Sequence, residues 1–184
     1  DANDGYPSYL LINDGQGNFI DMTADYNLDI KRFRRTYSCS FINLNNDDYI
    51  DLITVNDFAG IDLYFNNNGI TFTDVTQDII SEKSSFGMSH TVGDYNLDGL
   101  EDIFVTGMSS TTANRLEKMN LNRSGYEDQN SARSKMSYGN RMYIKQENGN
   151  YVEEQFPDMN QISKTGWSWG ATTFDFDNDG DSDI

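Results

Sequence analysis

The sequence has one cysteine, Cys39, and one histidine, His90. A single cysteine excludes an internal disulfide bond and a cysteine-based metal site, and a single histidine excludes a His-cluster zinc or iron site. Any metal ion is therefore expected to be held by oxygen ligands. Two prolines and fifteen glycines also exclude a collagen-like or linker-like chain.

Basic residues are scarce, because 13 Lys and Arg stand against 30 Asp and Glu, for a formal net charge of −17. This charge repels phosphate backbones, so we expect no nucleic-acid partner. The chain has no run of eighteen apolar residues and begins without a targeting pattern, so we expect no membrane insertion. Aromatic residues make up 13% of the 184 residues, which distinguishes the chain from acidic disordered tails and predicts a folded domain.

Three acidic nonamers repeat along the chain: NLNNDDYID (43–51), DYNLDGLED (94–102) and DFDNDGDSD (175–183). Short runs rich in β-branched and aromatic residues flank each nonamer, which predicts that strands frame the acidic loops. A second pattern accompanies them, with a short apolar run, a polar turn containing Gly and another aromatic residue at 8–19, 62–72 and 141–151. Each copy of that pattern predicts a hairpin.

About four strands in roughly fifty residues is the blade pattern of a β-propeller, so the sequence predicts an all-β fold. The predicted blade repeats are 8–55, 62–106 and 141–184, with a partly helical insertion at 107–140. About three blades are too few for a closed propeller, which typically has four to eight. Residues 1–184 are therefore expected to be part of a single larger propeller domain, with the remainder of that propeller as a partner.

The acidic nonamers have the oxygen chemistry of calcium sites. Ca²⁺ takes six to eight oxygen ligands, and side chains at alternate positions of a tight loop converge on one point. Positions one, three, five and nine supply side-chain oxygens, and position seven supplies a backbone carbonyl. An EF-hand loop closes instead with Glu at position twelve and is framed by helices. The predicted ligands are Asn43, Asn45, Asp47, Tyr49 and Asp51 in the first loop, Asp94, Asn96, Asp98, Leu100 and Asp102 in the second, and Asp175, Asp177, Asp179, Asp181 and Asp183 in the third.

The number of carboxylates ranks these three predicted Ca²⁺ sites. The third loop has four ligand carboxylates, the second has three and the first has two. Asp48 also occupies the sixth position of the first loop, where the others have Gly, so Asp48 is expected to adopt a conformation that favours Gly. The first site is therefore expected to bind Ca²⁺ most weakly.

Other residues have a structural and a functional interpretation. Trp167 and Trp169 alternate on a predicted strand, which favours core packing between blades over a sugar-stacking platform. His90 is expected to be packed or hydrogen-bonded, and Cys39 to be a buried small hydrophobe. The basic residues of 31–35 and of the insertion are either solvated or form a surface for an anionic partner. Asn114 and Glu117 predict a short helix in the insertion, and the basic residues from 107 to 141 are Arg115, Lys118, Arg123, Arg133, Lys135 and Arg141.

The segments DYNLDGLEDIFVT and GWSWGATTFDFDNDGDSDI resemble the calcium loops of FG-GAP/VCBS repeats, and DLYFNNNGITFTDVT resembles the hairpin that joins such blades. Within that group the resemblance is greatest to the secreted, acidic ASPIC/UnbV-type repeat proteins. It covers nearly the whole chain except 107–140, and the Phe-Gly pair of the family is present as Phe86 and Gly87. The resemblance implies a propeller, commonly with seven blades, that binds calcium in the loops between strands. The ligands that it implies are the side chains at positions one, three, five and nine of each loop, and in the first loop Asp48 departs from the Gly of the family pattern.

These observations predict an extracellular calcium-binding propeller module, secreted or at a cell surface. Its expected role is non-catalytic adhesion, recognition or scaffolding, with a protein or glycan partner. The alternative is a propeller-based polysaccharide lyase or hydrolase. Such an enzyme needs a group of Lys, His, Tyr or Arg side chains, or a carboxylate pair free of calcium. No sequence motif for such a site is present, so no catalytic residue is assigned, and Ca²⁺ is the one expected cofactor.

Overall fold

The structure is a computed structural model that describes residues 3–80, 82, 84, 86–127, 130, 133, 138–154 and 162–184. The regular elements with defined bounds in these segments are strands and two short helices, and none of the segments contains a helix long and apolar enough to cross a membrane. In chain order the elements are β1 (Leu11–Asn13), β2 (Phe19–Asp21), β3 (Arg35–Ile42), β4 (Asp51–Asp57), β5 (Gly60–Asn67), β6 (Thr71–Asp74), α1 (Thr76–Ile79), β7 (Gly87–Gly93), β8 (Asp102–Gly107), α2 (Thr111–Lys118), β9 (Arg141–Lys145) and β10 (Tyr151–Glu153).

The strands form two four-stranded antiparallel sheets and one separate hairpin. The first sheet has the order β3-β4-β5-β6, the second has the order β7-β8-β9-β10, and β1 pairs with β2. Neighbouring strands in each sheet are also consecutive in the chain, which is the meander of a propeller blade. The predicted all-β fold is confirmed.

The two sheets pack face to face and share one core. Alternate residues of the central strands β4 and β8 point into this core, including Ile53, Val55, Ile103 and Val105, which are fully buried. The intervening residues point to the opposite faces, where Leu52 packs near the β1–β2 hairpin and Phe104 packs near the C-terminal segment. The central strands are therefore buried on both sides.

The sheets group the strands differently from the predicted repeat boundaries. Each complete sheet begins with the strand before an acidic loop and ends with the Gly-turn hairpin that follows it, at 35–74 and 87–153. The physical reason is the short turn from Asp57 to Gly60, which makes β4 and β5 antiparallel neighbours. In chain order, the segment 108–140 connects two neighbouring strands of the second sheet, β8 and β9.

The predicted strand before the third acidic loop is wrong. Trp167 and Phe174 each form one isolated bridge, to Met108 and Asp183, and the residues between them are not in a strand. In the other units a strand of six or seven residues pairs with this position, whereas Phe174 pairs with Asp183 through a single bridge. Trp167 and Trp169 are 58% and 63% exposed, so they do not pack in the core of the described chain.

The insertion does contain the predicted short helix, although it begins earlier than Asn114. Ser110 caps α2, because its hydroxyl accepts a hydrogen bond from the Ala113 backbone N–H at 3.1 Å. Arg133 donates to the Leu121 carbonyl and the Asn122 side chain, and Arg141 is paired with Glu153. These two cations have structural roles, and Lys135 lies outside the described residues.

Cys39 is exposed, so its predicted burial is wrong. The reason is the position of β3, an edge strand on which exposed and partly buried residues alternate. Cys39 falls on the exposed side of that alternation.

The basic segment 31–35 forms ion pairs with carboxylates of the fold, and those with Asp62 are buried. Asp62 is fully buried on β5, and its carboxylate accepts hydrogen bonds from Arg34 and Lys31, each at 2.8 Å. The Asn56 side chain donates to the same carboxylate at 2.9 Å. Arg32 pairs with Asp21, and Arg35 with Asp4. Lys31, Arg32, Arg34 and Arg35 therefore pair with carboxylates of the chain itself, a role that differs from both interpretations of this segment, a solvated stretch or a surface for an anionic partner.

His90 links the two sheets, as its predicted packed or hydrogen-bonded role requires. It is 7% exposed on β7, and its Nδ1 lies 3.1 Å from the Ser38 hydroxyl on β3. Its Nε2 is buried and has no hydrogen-bond partner among the described residues. Burial lowers the pKa of His90 to about 4, because the charged imidazole loses its hydration.

Acid is expected to weaken the fold through His90. Between pH 6.5 and about 4 the unfolded chain binds a proton at this residue and the folded chain does not, so stability falls as the pH falls. The loss approaches roughly 3 kcal/mol, at 1.36 kcal/mol for each unit of pKa difference. Urea unfolding of the wild type and of His90→Asn at pH 7 and pH 4.5 measures it. An equal loss of stability in both proteins would contradict this role of His90.

Candidate metal centres

The three acidic loops occupy equivalent places in the structure. The first joins β3 to β4, and the second joins β7 to β8. The third is closed by the bridge between Phe174 and Asp183, whose backbone groups form hydrogen bonds at 3.1 and 3.3 Å. Each loop therefore spans a turn between two antiparallel segments.

All three loops bend at position four, which the sequence pattern did not identify. Asn46, Leu97 and Asn178 have φ angles of 61°, 58° and 62°, in the left-handed region. Asn reaches this region easily, but Leu adopts it at a cost in energy. The strained Leu97 shows that the second loop imposes its bend on an unfavourable residue.

Position six differs between the loops. Gly99 and Gly180 have φ angles of 85° and 97°, but Asp48 is not in the left-handed region. The expectation that Asp48 adopts a conformation typical of Gly is therefore wrong. The first loop closes without this second bend, so its geometry differs from that of the other two.

The residue at position one closes each loop. In the second loop, the Asp94 carboxylate accepts hydrogen bonds from the backbone N–H groups of Asp98 and Gly99, at 3.0 and 2.8 Å. Asp175 repeats this arrangement with Asp179 and Gly180, at 3.1 and 3.0 Å. These bonds hold each turn compact and leave further lone pairs of the carboxylates available.

The first loop has an amide, Asn43, at position one. Its Nδ2 donates to the Asp47 carbonyl, and its Oδ1 is buried without a hydrogen-bond partner among the described residues. A buried oxygen acceptor that lacks a donor is costly, and a cation next to it would satisfy it. The oxygen ligand proposed at this position therefore fits a hard cation.

Position five is satisfied internally in the first two loops. The Asp47 carboxylate accepts from the Asn45 side chain at 2.8 Å and from the Tyr49 N–H at 2.7 Å. Asp98 does the same with the Asn96 side chain at 2.9 Å and the Leu100 N–H at 2.8 Å. An amide at position three thus neutralises part of the field of the carboxylate at position five.

The third loop brings carboxylates together instead. Asp177 stands at position three, where it lacks the amide donor of Asn45 and Asn96. One oxygen each from Asp175, Asp177 and Asp183 lie within 4.8 Å of one another, and no other part of the described chain has such a group of three acidic, His or Cys side chains. Asp179 accepts from the Asp181 N–H at 3.1 Å, and its charge is the largest cause of the raised pKa of Asp181.

Position nine is the most buried part of the site. Asp51 and Asp102 have no exposure to solvent, and burial raises the pKa of both carboxyl groups. The Asp51 carboxylate accepts from the Leu44 N–H at 2.8 Å and the Asn66 N–H at 2.7 Å. The Asp102 carboxylate accepts from the Tyr95 N–H at 3.1 Å and the Lys145 N–H at 2.8 Å.

Asp183 closes the third loop with one corresponding bond, from the Phe176 N–H at 2.8 Å. The three loops therefore share a bend at position four and a backbone contact from position two to position nine. All of their predicted ligand atoms are oxygens, which are the ligands that Ca²⁺ prefers. The assigned Ca²⁺ ligands stay predictions.

The framing strands, the loop spacing and the hairpin together characterise a repeat, and a known family model matches part of the chain. The match covers residues 43–105 and the model describes an FG-GAP-like repeat. Residues 43–105 are therefore similar to an FG-GAP-like repeat. The matched residues include the first two acidic loops, the strands from β4 to β7 and most of β8. A comparison with curated protein sequences finds no match.

If the third loop is a Ca²⁺ site as predicted, Asp177→Asn is expected to weaken its Ca²⁺ affinity about tenfold, because the number of ligand charges tunes affinity. The Asn introduced at position three resembles Asn45 and Asn96, whose amides bond to the carboxylate at position five. Calorimetric titration with Ca²⁺ measures the change. Asp181→Asn is the matched control, because it removes the same charge from the same loop and leaves the proposed carbonyl ligand in place. Equal effects of the two variants would contradict the ligand assignment.

Proposed function

We propose that this chain is part of an extracellular calcium-binding propeller with a non-catalytic role in recognition or scaffolding. The observation that carries the proposal is one acidic turn, repeated at three equivalent places, whose third copy gathers three carboxylates within 4.8 Å. Three carboxylates at this distance repel one another unless a cation neutralises them. Bound Ca²⁺ supplies that neutralisation.

Different positions of each loop have different roles in the proposed binding of Ca²⁺. Position one would hold the ion and the turn together, through Asp94 or Asp175, while position nine fixes the loop to the sheet. The carbonyls of Tyr49, Leu100 and Asp181 would complete the set of oxygen ligands at position seven. The carboxylate count ranks the third site as the strongest and the first as the weakest.

An extracellular location suits these sites. Extracellular modules bind Ca²⁺ with dissociation constants of about 0.1–1 mM. We expect a Ca²⁺ affinity in this range for turns as exposed as these. The ASPIC/UnbV-type group suggested by the sequence has secreted, acidic members, which agrees with a net charge of −17. We therefore propose the ASPIC/UnbV type as the closer relationship within the FG-GAP family.

The insertion provides the proposed recognition surface. Arg115 and Lys118 lie in the last turn of α2, and Arg123 stacks on the ring of Tyr126 at 4.2 Å. These three cations stand out against the acidic body, since Arg133 and Arg141 are used internally. An anionic glycan or an acidic protein segment is the partner that this charge favours.

A lyase or hydrolase is the less favoured alternative. General base catalysis needs a side chain that reaches the substrate. His90 is 7% exposed and its pKa is lowered to about 4. It therefore serves the packing of the two sheets better than it serves catalysis.

Calcium is expected to raise the melting temperature of the chain. A site whose Kd is one tenth of the free Ca²⁺ concentration adds about 1.4 kcal/mol of stability, so three sites add about 4 kcal/mol. For a chain of this size that corresponds to roughly 10 °C. Differential scanning calorimetry in 1 mM Ca²⁺, in Mg²⁺ and in chelator measures the shift. An unchanged midpoint in Ca²⁺ and chelator would remove the proposed function.

Replacing Arg115 and Lys118 by Gln is expected to reduce binding to an acidic polysaccharide several-fold. The matched control replaces Arg32 and Arg35 by Gln, which removes the same charge from cations paired with Asp21 and Asp4. Retention on a heparin column across a salt gradient measures both. Equal losses in both variants would show that overall charge, and not the insertion, governs the interaction.

A further inference from the structure

The position-nine aspartates connect each acidic loop to a distant strand of the same sheet. Asp51 accepts from the N–H of Asn66, fifteen residues away on β5, and Asp102 accepts from the N–H of Lys145, forty-three residues away at the end of β9. Both contacts are made to backbone groups, so they do not depend on the side chain of the partner. The 108–140 insertion separates β8 from β9 without removing the contact.

Each of these two loops makes a second hydrogen bond to the outer hairpin of its sheet, and we call both hydrogen bonds ties. The position-eight carbonyl of Ile50 accepts from the Asn66 side chain at 3.0 Å. The position-eight carbonyl of Glu101 accepts from the Tyr151 hydroxyl at 3.3 Å, so in the second sheet this tie reaches β10. The same two positions of the loop therefore contact the outer hairpin in both complete sheets, through different side chains.

The contacts made by Asp51 and Asp102 are the stronger of the two kinds, because these carboxylates have no exposure to solvent. Asp51 and Asp102 are fully buried, and each uses both carboxylate oxygens, one toward its own loop and one toward the third strand. A buried carboxylate that loses its N–H donors is left with a large desolvation cost. The third strand therefore cannot separate from the loop without exposing or orphaning this carboxylate.

We propose that Asp51 and Asp102 are positioning residues that couple the order of each acidic loop to the outer hairpin of its sheet. Loosening a loop loosens β5–β6 or β9–β10, and tightening the loop protects them. The extension of this coupling to Ca²⁺ rests on the proposed function, because it assumes that the ion tightens the loop. The coupling between loop and strand does not require the ion.

Amide hydrogen exchange of the 184-residue chain tests the coupling in chelator. Asp94→Ala removes the acceptor of the Asp98 and Gly99 N–H groups and so opens the second loop. We expect the Lys145 amide to exchange about tenfold faster, while the Asn66 amide is unchanged. Asp47→Ala is the reciprocal variant in the first loop, and it is expected to accelerate Asn66 and leave Lys145 unchanged.

Asp102→Asn provides the second step. In this variant the Lys145 amide is expected to exchange fast, and adding Asp94→Ala should not accelerate it further, because the coupling residue is already altered. A merely structural role of Asp102 would give additive effects. If Asp102→Asn does not fold, the two loop variants still decide the outcome.

A calcium arm distinguishes the two proposals. In the wild type, Ca²⁺ is expected to slow the Lys145 and Asn66 amides about tenfold, and in Asp102→Asn to slow the Asn66 amide alone. If Asp94→Ala loosens the loop but leaves Lys145 unchanged, the coupling is overturned, whatever Ca²⁺ does. If Asp94→Ala accelerates Lys145 while Ca²⁺ changes neither amide, the coupling holds and the proposed function fails.

Discussion

Two carboxylates without any exposure to solvent, those of Asp51 and Asp102, each accept backbone N–H groups from two separate elements of a sheet. A charge buried in this way is stable only while its donors stay in place. The acidic turn, the strand after it and the third strand of the sheet must therefore form together. This constraint explains how turns with so many acidic residues belong to well-packed sheets and do not behave as loose surface loops.

The uneven distribution of charge follows from the same structure. Arg34 and Lys31 gather around the buried Asp62, and Arg141 pairs with Glu153, so these cations neutralise carboxylates inside the fold. Among the described residues, no Lys or Arg side chain joins the hydrogen-bond networks of the acidic loops, which rely on backbone N–H groups and Asn amides. In the third loop Asp177 replaces the amide, and the three carboxylates converge. This contrast is the reason for proposing that an external cation binds these loops.

Much of the architecture could be predicted from the sequence, because repetition makes local patterns reliable. The nonamers predicted acidic loops between strands, and the Gly turns predicted the outer hairpins. The exposure of Cys39 could not be predicted, since it depends on β3 lying at a sheet edge. The ion pairs of Asp62 were also hidden, because its partners Lys31 and Arg34 lie about thirty residues away along the chain. Asn66 and Lys145 contribute through their backbone N–H groups, which no side-chain pattern reveals.

The central claim is that the acidic turns are cation sites. Counting the ions bound to each chain by equilibrium dialysis against radioactive Ca²⁺ tests it most directly. The account predicts three Ca²⁺ ions per chain at saturation, with the weakest binding in the first loop. It also predicts that Mg²⁺ at equal concentration displaces little of the bound Ca²⁺. Binding of no Ca²⁺ at millimolar concentration, or equal binding of Mg²⁺, would contradict it.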